Sequence, residues 1–223
     1  MSAAAPPALA VAVTATALAH HYAPGRGLEA VDFALAAPGV TAITGANGSG
    51  KSTLLRIVAG LLRANRGMCE VVVDGHPIPP PHRRTVAGFA APELAFYDEL
   101  TVEENLNFAA AARGAHAADA AAAIQAALAT TGLEARAHDR VAALSSGLRQ
   151  RLRLGFAILH RPALLLLDEP GSHLDASGRE IVERILEHHR HHGLVLLATN
   201  DEREWTLADR RIELRCRGLG DPA

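Results

Sequence analysis

Nine consecutive residues have the types and spacing that bind phosphate groups. They fit the pattern G-x-x-x-x-G-K-[ST] and are Gly45, Ala46, Asn47, Gly48, Ser49, Gly50, Lys51, Ser52 and Thr53. Glycines let the backbone adopt conformations that a Cβ atom forbids, so successive N–H groups can approach phosphate oxygens closely. The lysine adds a positive charge for the β- and γ-phosphates, and the Ser52 hydroxyl suits Mg²⁺, a hard cation. The sequence therefore predicts a triphosphate site at residues 45–53.

The segments on both sides of residues 45–53 are those that such a loop requires. Val40–Thr44 is typical of a buried strand, and the residues that follow predict a helix with one apolar stripe: Leu54, Leu55, Val58, Leu61 and Leu62. The positive end of that helix dipole faces the phosphates. The alternatives are an ordinary glycine turn that caps a helix, and a dinucleotide-binding loop. The glycine order G-x-x-G-x-G argues against the dinucleotide loop, which has G-x-G-x-x-G.

Two adjacent acids end a second buried segment. Ala163–Leu167 is a continuous apolar run followed by Asp168-Glu169-Pro170. Strands that are apolar at every position belong to parallel sheets covered on both faces. Open α/β sheets bind their ligands at the carboxyl ends of such strands, so Asp168 and Glu169 are candidate site residues. The alternative is a pair of carboxylates that only cap the next helix.

A third group is the start of the helix after Leu144. Ser145 or Ser146 is a candidate N-cap, and with Gly147 it leaves exposed amides and a hydroxyl that could bind phosphate. Taken alone, these residues favour a plain capped helix. Tyr22 is a similar case, because an aromatic ring upstream of a phosphate loop could stack on a base, whereas a lone tyrosine is more often ordinary packing.

Composition places the chain among globular proteins. Its 223 residues are 49% hydrophobic and carry a formal net charge of −2, which argues against disorder and against broad nucleic-acid binding. Two cysteines, Cys69 and Cys216, are too few for a disulfide framework and favour a reducing compartment. No charged residue precedes Arg26, so the apolar run at 9–19 lacks the positive flank of a secretory signal. The alternation of apolar residues there fits an edge strand.

One domain at residues 8–218 accounts for these elements, with disordered tails at 1–7 and 219–223. A capping box at Thr101–Glu104 starts an alanine-rich helical region that extends to about Ala143, with breaks at Gly114 and Gly132. We therefore predict a small helical subdomain at about 99–143, inserted in the core.

In this order, the motifs resemble those of the ATP-binding subunit of an ABC transporter. The resemblance covers about Val11 to Leu214 and rests on a Walker A loop at 45–53, a signature at 144–148, a Walker B strand at 164–168 and a D-loop at 172–175. It implies an α/β fold: a P-loop NTPase core with a mainly parallel sheet, an antiparallel β arm and the helical subdomain.

The resemblance also implies a composite site. Two such domains pair head to tail, as a homodimer or with a second ATPase subunit, and Ser145 and Gly147 of one contact the γ-phosphate of ATP held by the other. Tyr22 corresponds to the base-stacking aromatic. Glu169 corresponds to the catalytic base, assisted by Lys51, and Ser52 and Asp168 to the Mg²⁺ ligands. The resemblance implies a cytoplasmic protein on the inner membrane face, bound to a separate transmembrane permease and to no nucleic acid.

Two positions depart from the family pattern. Pro92-Glu93 stands where the family usually has a glutamine, and Asn200 stands where it usually has a histidine. The Asn200 amide can donate a hydrogen bond to phosphate but cannot carry charge. Both changes leave ATP binding in place and make weak hydrolysis conceivable. The alternative function is therefore a soluble or regulatory ABC-type ATPase that does not drive transport directly.

Overall fold

A computed structural model describes residues 10–23 and 26–215. The predicted tails, the turn at Pro24–Gly25, Cys216 and both ends of the predicted 8–218 domain lie outside these residues, so those boundaries stay predictions. Within the described residues none of the helices is both long and apolar enough to cross a bilayer.

The described residues form nine β-strands and six α-helices. In chain order these are β1 (Val11–Ala23), β2 (Arg26–Ala36), β3 (Gly39–Thr44), α1 (Lys51–Val58), β4 (Arg66–Val73), β5 (His76–Pro77), β6 (Ala87–Ala90), α2 (Val102–Ala112), α3 (Ala117–Thr131), α4 (Ser146–Ile158), β7 (Leu164–Asp168), α5 (Ala176–Arg190), β8 (Leu194–Ala198), α6 (Glu202–Trp205) and β9 (Arg210–Glu213). Short 3₁₀ helices occupy Pro80–Thr85, Glu134–Arg136 and Val141–Ala143.

A five-stranded parallel sheet carries the strand ends that matter for function. Its order is β6-β7-β8-β3-β9, and every neighbouring pair is parallel. In β7, Leu164 and Leu166 pack on the side of α1, whereas Leu165 and Leu167 pack on the side of α5. The run is apolar at every position because helices cover both faces. The predicted α/β core with a parallel sheet is confirmed.

A second, antiparallel sheet has the order β2-β1-β4-β5. The prediction of an edge strand at the start of the chain is wrong, because β1 pairs with β2 on one side and β4 on the other. Val11, Val13 and Ala15 of β1 alternate toward the core shared with α1. Such alternation reports that one face is buried and is the same for an edge strand and a central strand.

The helical region has its own hydrophobic cluster, formed by α2, α3 and the buried face of α4. The capping box is present: the Thr101 amide donates to Glu104 Oε2 at 2.7 Å, and the Glu104 amide donates to Thr101 Oγ1 at 3.1 Å. Helix continues only to Thr131, and two 3₁₀ turns replace the helix predicted as far as Ala143.

The predicted extent of the first helix is also too long. α1 ends at Val58, Gly60 has a φ of 75°, and Leu61 is 64% exposed rather than part of the apolar stripe. A backbone in this left-handed region cannot continue an α-helix, so the spacing of the leucines beyond Val58 does not place them on the buried face of α1.

Candidate nucleotide-binding site

The loop at 45–50 connects β3 to α1 and depends on its glycines. Gly45 has a φ of 144°, and a Cβ atom there would lie 2.5 Å from the Leu214 carbonyl oxygen. Gly50 has a φ of 96° and is the N-cap of α1, with no side chain accepting from the first-turn amides. These amides and the helix dipole therefore face outward at the loop, as a site for an anion requires.

Lys51 is held over the same loop. Its side chain is 6% exposed, and Nζ donates to the carbonyl oxygens of Gly45 at 2.8 Å and Ala46 at 3.3 Å. Ser49 is 1% exposed, and its Oγ atom has no hydrogen-bond partner among the described residues. A buried hydroxyl without a partner is costly in an isolated chain, and it indicates a place where a ligand completes the hydrogen bonding.

The acidic pair lies at the carboxyl end of β7, the same edge of the sheet as the phosphate loop. Asp168 is 2% exposed, and its Oδ2 atom has no hydrogen-bond partner in the part of the chain that is described. Burial raises the pKa of this carboxyl, and the nearby charges of Glu93 and Glu169 act in the same direction, while the Ser52 hydroxyl opposes them. A buried, unsatisfied carboxylate oxygen beside a hydroxyl is a donor set that fits Mg²⁺.

Glu169 follows directly and has an unusual backbone. Its φ is 48°, in the left-handed region that non-glycine residues rarely adopt. The Ser172 hydroxyl donates to Glu169 Oε2 at 3.4 Å, and the side chain is only partly buried. The carboxylate is therefore open to a ligand beside the loop while its backbone is fixed.

The next strand ends contribute the two residues that depart from the family pattern. Asn200, after β8, donates from Nδ2 to Asn47 Oδ1 at 2.7 Å and so contacts the phosphate loop directly. Glu93, after β6, forms an ion pair with Arg56 of α1. The Glu93 carboxylate therefore already has a protein partner in the described structure.

Ser145 and Gly147 lie at the start of α4. Ser145 is the N-cap, and its Oγ accepts from the Leu148 amide at 3.3 Å, which decides between Ser145 and Ser146. A Cβ atom at Gly147 would lie 3.0 Å from the His173 carbonyl oxygen. Among the described residues, no hydrogen bond joins Ser145 or Gly147 to the loop at 45–53 of the same chain.

Tyr22 lies near the end of β1 and is 54% exposed, with its ring edge-on to His20 at a centroid distance of 4.6 Å. The adjoining strand β2 approaches the phosphate loop, because a Cβ atom at Gly50 would lie 2.7 Å from the Leu28 Cα atom and 2.8 Å from the Gly27 carbonyl oxygen. Tyr22 is thus on the hairpin that borders the loop, with its ring available for stacking.

Two polar residues of this region, Arg56 and Gln150, lie outside the sequence motifs. Arg56 interrupts the apolar run of α1 and pairs with Glu93. Gln150, only 2% exposed, donates from Nε2 to the Pro170 carbonyl oxygen at 2.9 Å. A charge inside an apolar helix was the available signal for Arg56, whereas nothing in the helical spacing distinguishes Gln150 from its neighbours.

These elements define a P-loop nucleoside triphosphate-binding domain: a glycine loop between strand and helix, with two acids at the end of a nearby parallel strand. The profile of the ABC transporter family matches residues 28–172. The chain belongs to the ABC transporter family, and the predicted resemblance to its ATP-binding subunits is confirmed.

Relatives of known name agree with this assignment. The chain is 38% identical over 193 residues to the Fe(3+) ions import ATP-binding protein FbpC of Streptomyces avermitilis, a match that covers 84% of this chain and 55% of that protein. It is 38% identical over 176 residues to the cytochrome c biogenesis ATP-binding export protein CcmA of Rhizobium johnstonii, covering 77% of this chain and 80% of that protein. The chain thus spans about half the length of FbpC and most of the length of CcmA.

The fold agrees with that of solved cassettes. The dimeric ATP-binding cassette MJ0796 in a post-hydrolysis state, bound to ADP and Pi, superposes with a TM-score of 0.80 at 23% sequence identity, covering 91% of this chain and 94% of that chain. A bacterial Atm1-family ABC exporter with ATP bound superposes with a TM-score of 0.77 at 21% identity, covering 96% of this chain and 39% of that chain.

Proposed function

We propose that this chain is the ATP-binding and ATP-hydrolysing subunit of an ABC transporter, and that it energises transport through a separate transmembrane permease. The observation that carries the proposal is the direct bond between two strand ends. Asn200 after β8 binds Asn47 of the loop after β3, and Asp168 and Glu169 lie at the end of the neighbouring strand β7. Phosphate-binding, acidic and amide groups thus meet at one sheet edge.

ATP binding is assigned to the loop and the hairpin beside it. The amides of Gly48, Gly50 and the first turn of α1 surround the phosphates, with Lys51 as the positive charge. The Lys51 ammonium has three N–H donors, and two of them bind the Gly45 and Ala46 carbonyls in the described structure. It can therefore donate to a phosphate while keeping at least one of these bonds. The remaining contacts to phosphate and base come from Asn47, Ser49, Ser52, Thr53 and Tyr22.

Mg²⁺ is assigned to the Ser52 hydroxyl and the Asp168 carboxylate. When bound, the cation neutralises charge on the β- and γ-phosphates. Burial raises the pKa of Asp168 in the isolated chain, so the ionised carboxylate is unfavourable there, and a cation beside it would favour the ionised form.

Hydrolysis is assigned to Glu169 as the base that orients and deprotonates the attacking water. Its position beside Asp168 and its fixed backbone supply orientation, which is the main contribution that phosphoryl transfer needs from a protein. The Asn200 amide can turn one N–H from Asn47 to the γ-phosphate as negative charge develops there.

A second copy, or a paired ATPase subunit, is proposed to complete the site. Ser145 and Gly147 leave the free amides of the α4 N-terminus and a hydroxyl exposed, and among the described residues neither is hydrogen-bonded to the phosphate loop of the same chain. Head-to-tail pairing would bring them to the γ-phosphate of the other chain, and a solved neighbour is dimeric. We place the assembly at the cytoplasmic face of the membrane, on its permease, with no nucleic-acid partner.

One observation favours a second function, a regulatory ATPase with weak hydrolysis. Glu93 is ion-paired with Arg56 and Asn200 with Asn47, so both residues that differ from the family pattern are already engaged in the described structure. If these bonds persist with ATP bound, the chain would bind nucleotide and hydrolyse it slowly.

Phosphate release and ATP affinity, measured on the same preparations, separate the two functions. We expect wild type to release phosphate. Glu169→Gln should bind ATP but release phosphate at least 100-fold more slowly, and Lys51→Ala should lose affinity for ATP. Arg184→Ala, on the exposed face of α5, is the matched control and should behave as wild type. Equal, negligible release by wild type and Glu169→Gln with intact binding favours the regulatory function. Unchanged ATP binding by Lys51→Ala contradicts the site itself.

Recovery from membranes tests the transport role separately. We expect the tagged chain to copurify with a polytopic membrane protein in stoichiometric amount. Recovery with ribosomes or DNA instead would contradict the permease assignment while leaving the ATP site untouched.

A further inference from the structure

The backbone of Glu169 needs support from outside its own strand. A φ of 48° is strained for a residue with a Cβ atom, so the segment after β7 relaxes unless other contacts hold it. The Glu169 amide donates to the Ala198 carbonyl oxygen at 2.8 Å, and the Glu169 carbonyl accepts from the Ser172 amide at 3.1 Å. Both partners lie in the parallel sheet or in the next turn, and neither fixes the segment from the helical side.

That support comes from Gln150 of α4. Its Nε2 atom donates to the carbonyl oxygens of Pro170 at 2.9 Å and Glu169 at 3.4 Å. Gln150 is 2% exposed and Pro170 is buried, so water is not at hand to replace the bond. Removal of this donor leaves a buried carbonyl unsatisfied next to a strained residue.

The Gln150 amide is itself oriented by Arg153, one turn further along α4. Arg153 Nη1 donates to Gln150 Oε1 at 3.1 Å, which determines that Nε2 points toward Pro170. Arg153 Nε also donates to the Leu94 carbonyl oxygen at 3.4 Å. Leu94 adjoins Glu93, the residue that is ion-paired with Arg56 of α1. Polar contacts, with one step along the backbone from Leu94 to Glu93, thus link the phosphate-loop helix, the segment after β6, α4 and the backbone of Glu169.

We infer that Gln150, oriented by Arg153, is a positioning residue that holds Glu169 in the geometry required for ATP hydrolysis. This inference rests on the proposed function, since it assigns Gln150 a role only through Glu169. Through Gln150, α4, which is capped by Ser145, is also bonded directly to the backbone of Glu169, the proposed catalytic base of the same chain. A purely structural role for Gln150 predicts lost stability; a positioning role predicts a lost turnover rate with nucleotide binding retained.

Two variants at position 150 separate these roles. Gln150→Leu removes the donor and keeps the volume, and Gln150→Glu keeps the shape and the bond to Arg153 but cannot donate to the Pro170 carbonyl. We expect both to lower kcat by about tenfold or more and to change KM for ATP by less than about threefold. Arg153→Leu should show a smaller loss of kcat, with partial rescue in Arg153→Lys.

Leu152→Ala is the matched control on the same helix. Leu152 is fully buried in the helical cluster and has no polar contact with Glu169. Its truncation should lower the melting temperature and leave kcat of the folded protein within about twofold of wild type. Loss of kcat in Leu152→Ala equal to that in Gln150→Leu, or wild-type kcat in both Gln150 variants, would overturn the positioning role.

Hydrogen exchange provides a readout that does not require hydrolysis. The Ser172 amide donates to the Glu169 carbonyl oxygen, and the Leu174 amide donates to the Gly171 carbonyl oxygen. In nucleotide-free Gln150→Leu both amides should exchange about tenfold faster than in wild type. Unchanged exchange refutes the inference even if the wild-type chain hydrolyses ATP. If the wild-type chain shows no ATP turnover but hydrogen exchange is faster in Gln150→Leu, the proposed function is refuted. The Gln150 contact would then still fix the segment after Glu169.

Discussion

Asn200 and Asn47, separated by 153 positions in sequence, are joined by a hydrogen bond of 2.7 Å between Nδ2 and Oδ1. The bond connects the end of β8 to the phosphate loop without any charged group. An amide does not titrate in the physiological range, whereas the histidine usual at this position in the family does. This contact should therefore make the same contribution to ATP binding at pH 6 and pH 8.

Asn200→His is expected to introduce a pH dependence that wild type lacks. The imidazolium formed below about pH 6.5 adds positive charge next to the γ-phosphate, so the affinity of the variant for ATP relative to wild type should rise severalfold from pH 8 to pH 6. The measurement is the ratio of ATP dissociation constants of variant and wild type at each pH. Asn200→Ala is the control and should weaken binding by a constant factor. A flat ratio for Asn200→His would show that residue 200 does not reach the phosphates.

Asp168→Asn should stabilise the nucleotide-free chain and abolish hydrolysis. Burial raises the pKa of Asp168, so the ionised carboxylate destabilises the folded state at neutral pH. A neutral amide at the same place removes the buried charge, so the melting temperature of the nucleotide-free chain should rise. Differential scanning fluorimetry with Mg²⁺ chelated provides the measurement.

The pH profile provides the control for Asp168→Asn. A carboxyl with a raised folded-state pKa binds more protons when folded, so the wild-type chain loses stability as the pH rises from the unfolded value of 3.8 through the folded one. Well below pH 3.8 this carboxyl is protonated in both states, so the part of the difference between variant and wild type that comes from ionisation should vanish. A variant that is less stable than wild type at pH 7.5 would mean that the Ser52 hydroxyl stabilises the Asp168 carboxylate by more than burial destabilises it.

Local chemistry explains why much of this site can be predicted from sequence. The glycines at 45 and 50 are required by backbone torsions within the loop itself, and the apolar run before Asp168 follows from burial on both faces. Each of these signals lies within a few residues of the feature that it specifies. The prediction of the sheet edge as the ligand-binding side then follows from parallel strand direction alone.

The contacts that the sequence does not reveal are those between distant segments. Arg56 meets Glu93 across 37 positions and Gln150 meets Pro170 across 20, and no periodicity encodes either pair. The edge position predicted for β1 is wrong because alternation reports one buried face and carries no information on how many strands pair with β1. Leu61 keeps helical spacing but follows a helix that has already ended.

Stability should fall as the pH drops from 6.5 to 4, in part because of His189. Burial in the last turn of α5 lowers the pKa of this histidine to about 4, with the neighbouring His188 and His192 acting in the same direction. Between pH 4 and 6.5 the unfolded chain binds this proton and the folded chain does not, so acid favours unfolding. His189→Gln should reduce the slope of the free energy of unfolding against pH by up to about 1.4 kcal/mol per pH unit.

His76→Gln makes the same chemical change at an exposed strand position and is the matched control. Denaturant titrations of the three proteins at half-unit intervals from pH 4 to 7 provide the slopes. Equal slopes for wild type and His189→Gln would contradict the assignment of this proton to His189.

Ser145 allows helix capping to be separated from phosphate recognition. Its Oγ accepts from the Leu148 amide, so Ser145→Ala should cost about 1 kcal/mol of stability as well as weaken the ATP-dependent pair. Aspartate is as good an N-cap as serine, so Ser145→Asp should keep the stability of wild type to within about 0.5 kcal/mol. In the proposed composite site, however, its negative charge would repel the γ-phosphate of ATP held on the other chain.

The assembly is measured by sedimentation with saturating ATP in the Glu169→Gln background, where slow hydrolysis preserves the ATP-bound state. We expect Glu169→Gln alone to sediment as a dimer and Ser145→Asp combined with Glu169→Gln to sediment as a monomer, although both melt at nearly the same temperature without nucleotide. Ser145 has no hydrogen bond to the phosphate loop of its own chain among the described residues, so an effect of the aspartate on the dimer reports on the proposed contact between chains. A dimer that tolerates the aspartate would place the shared ATP elsewhere, and a Glu169→Gln chain that stays monomeric would refute the composite site.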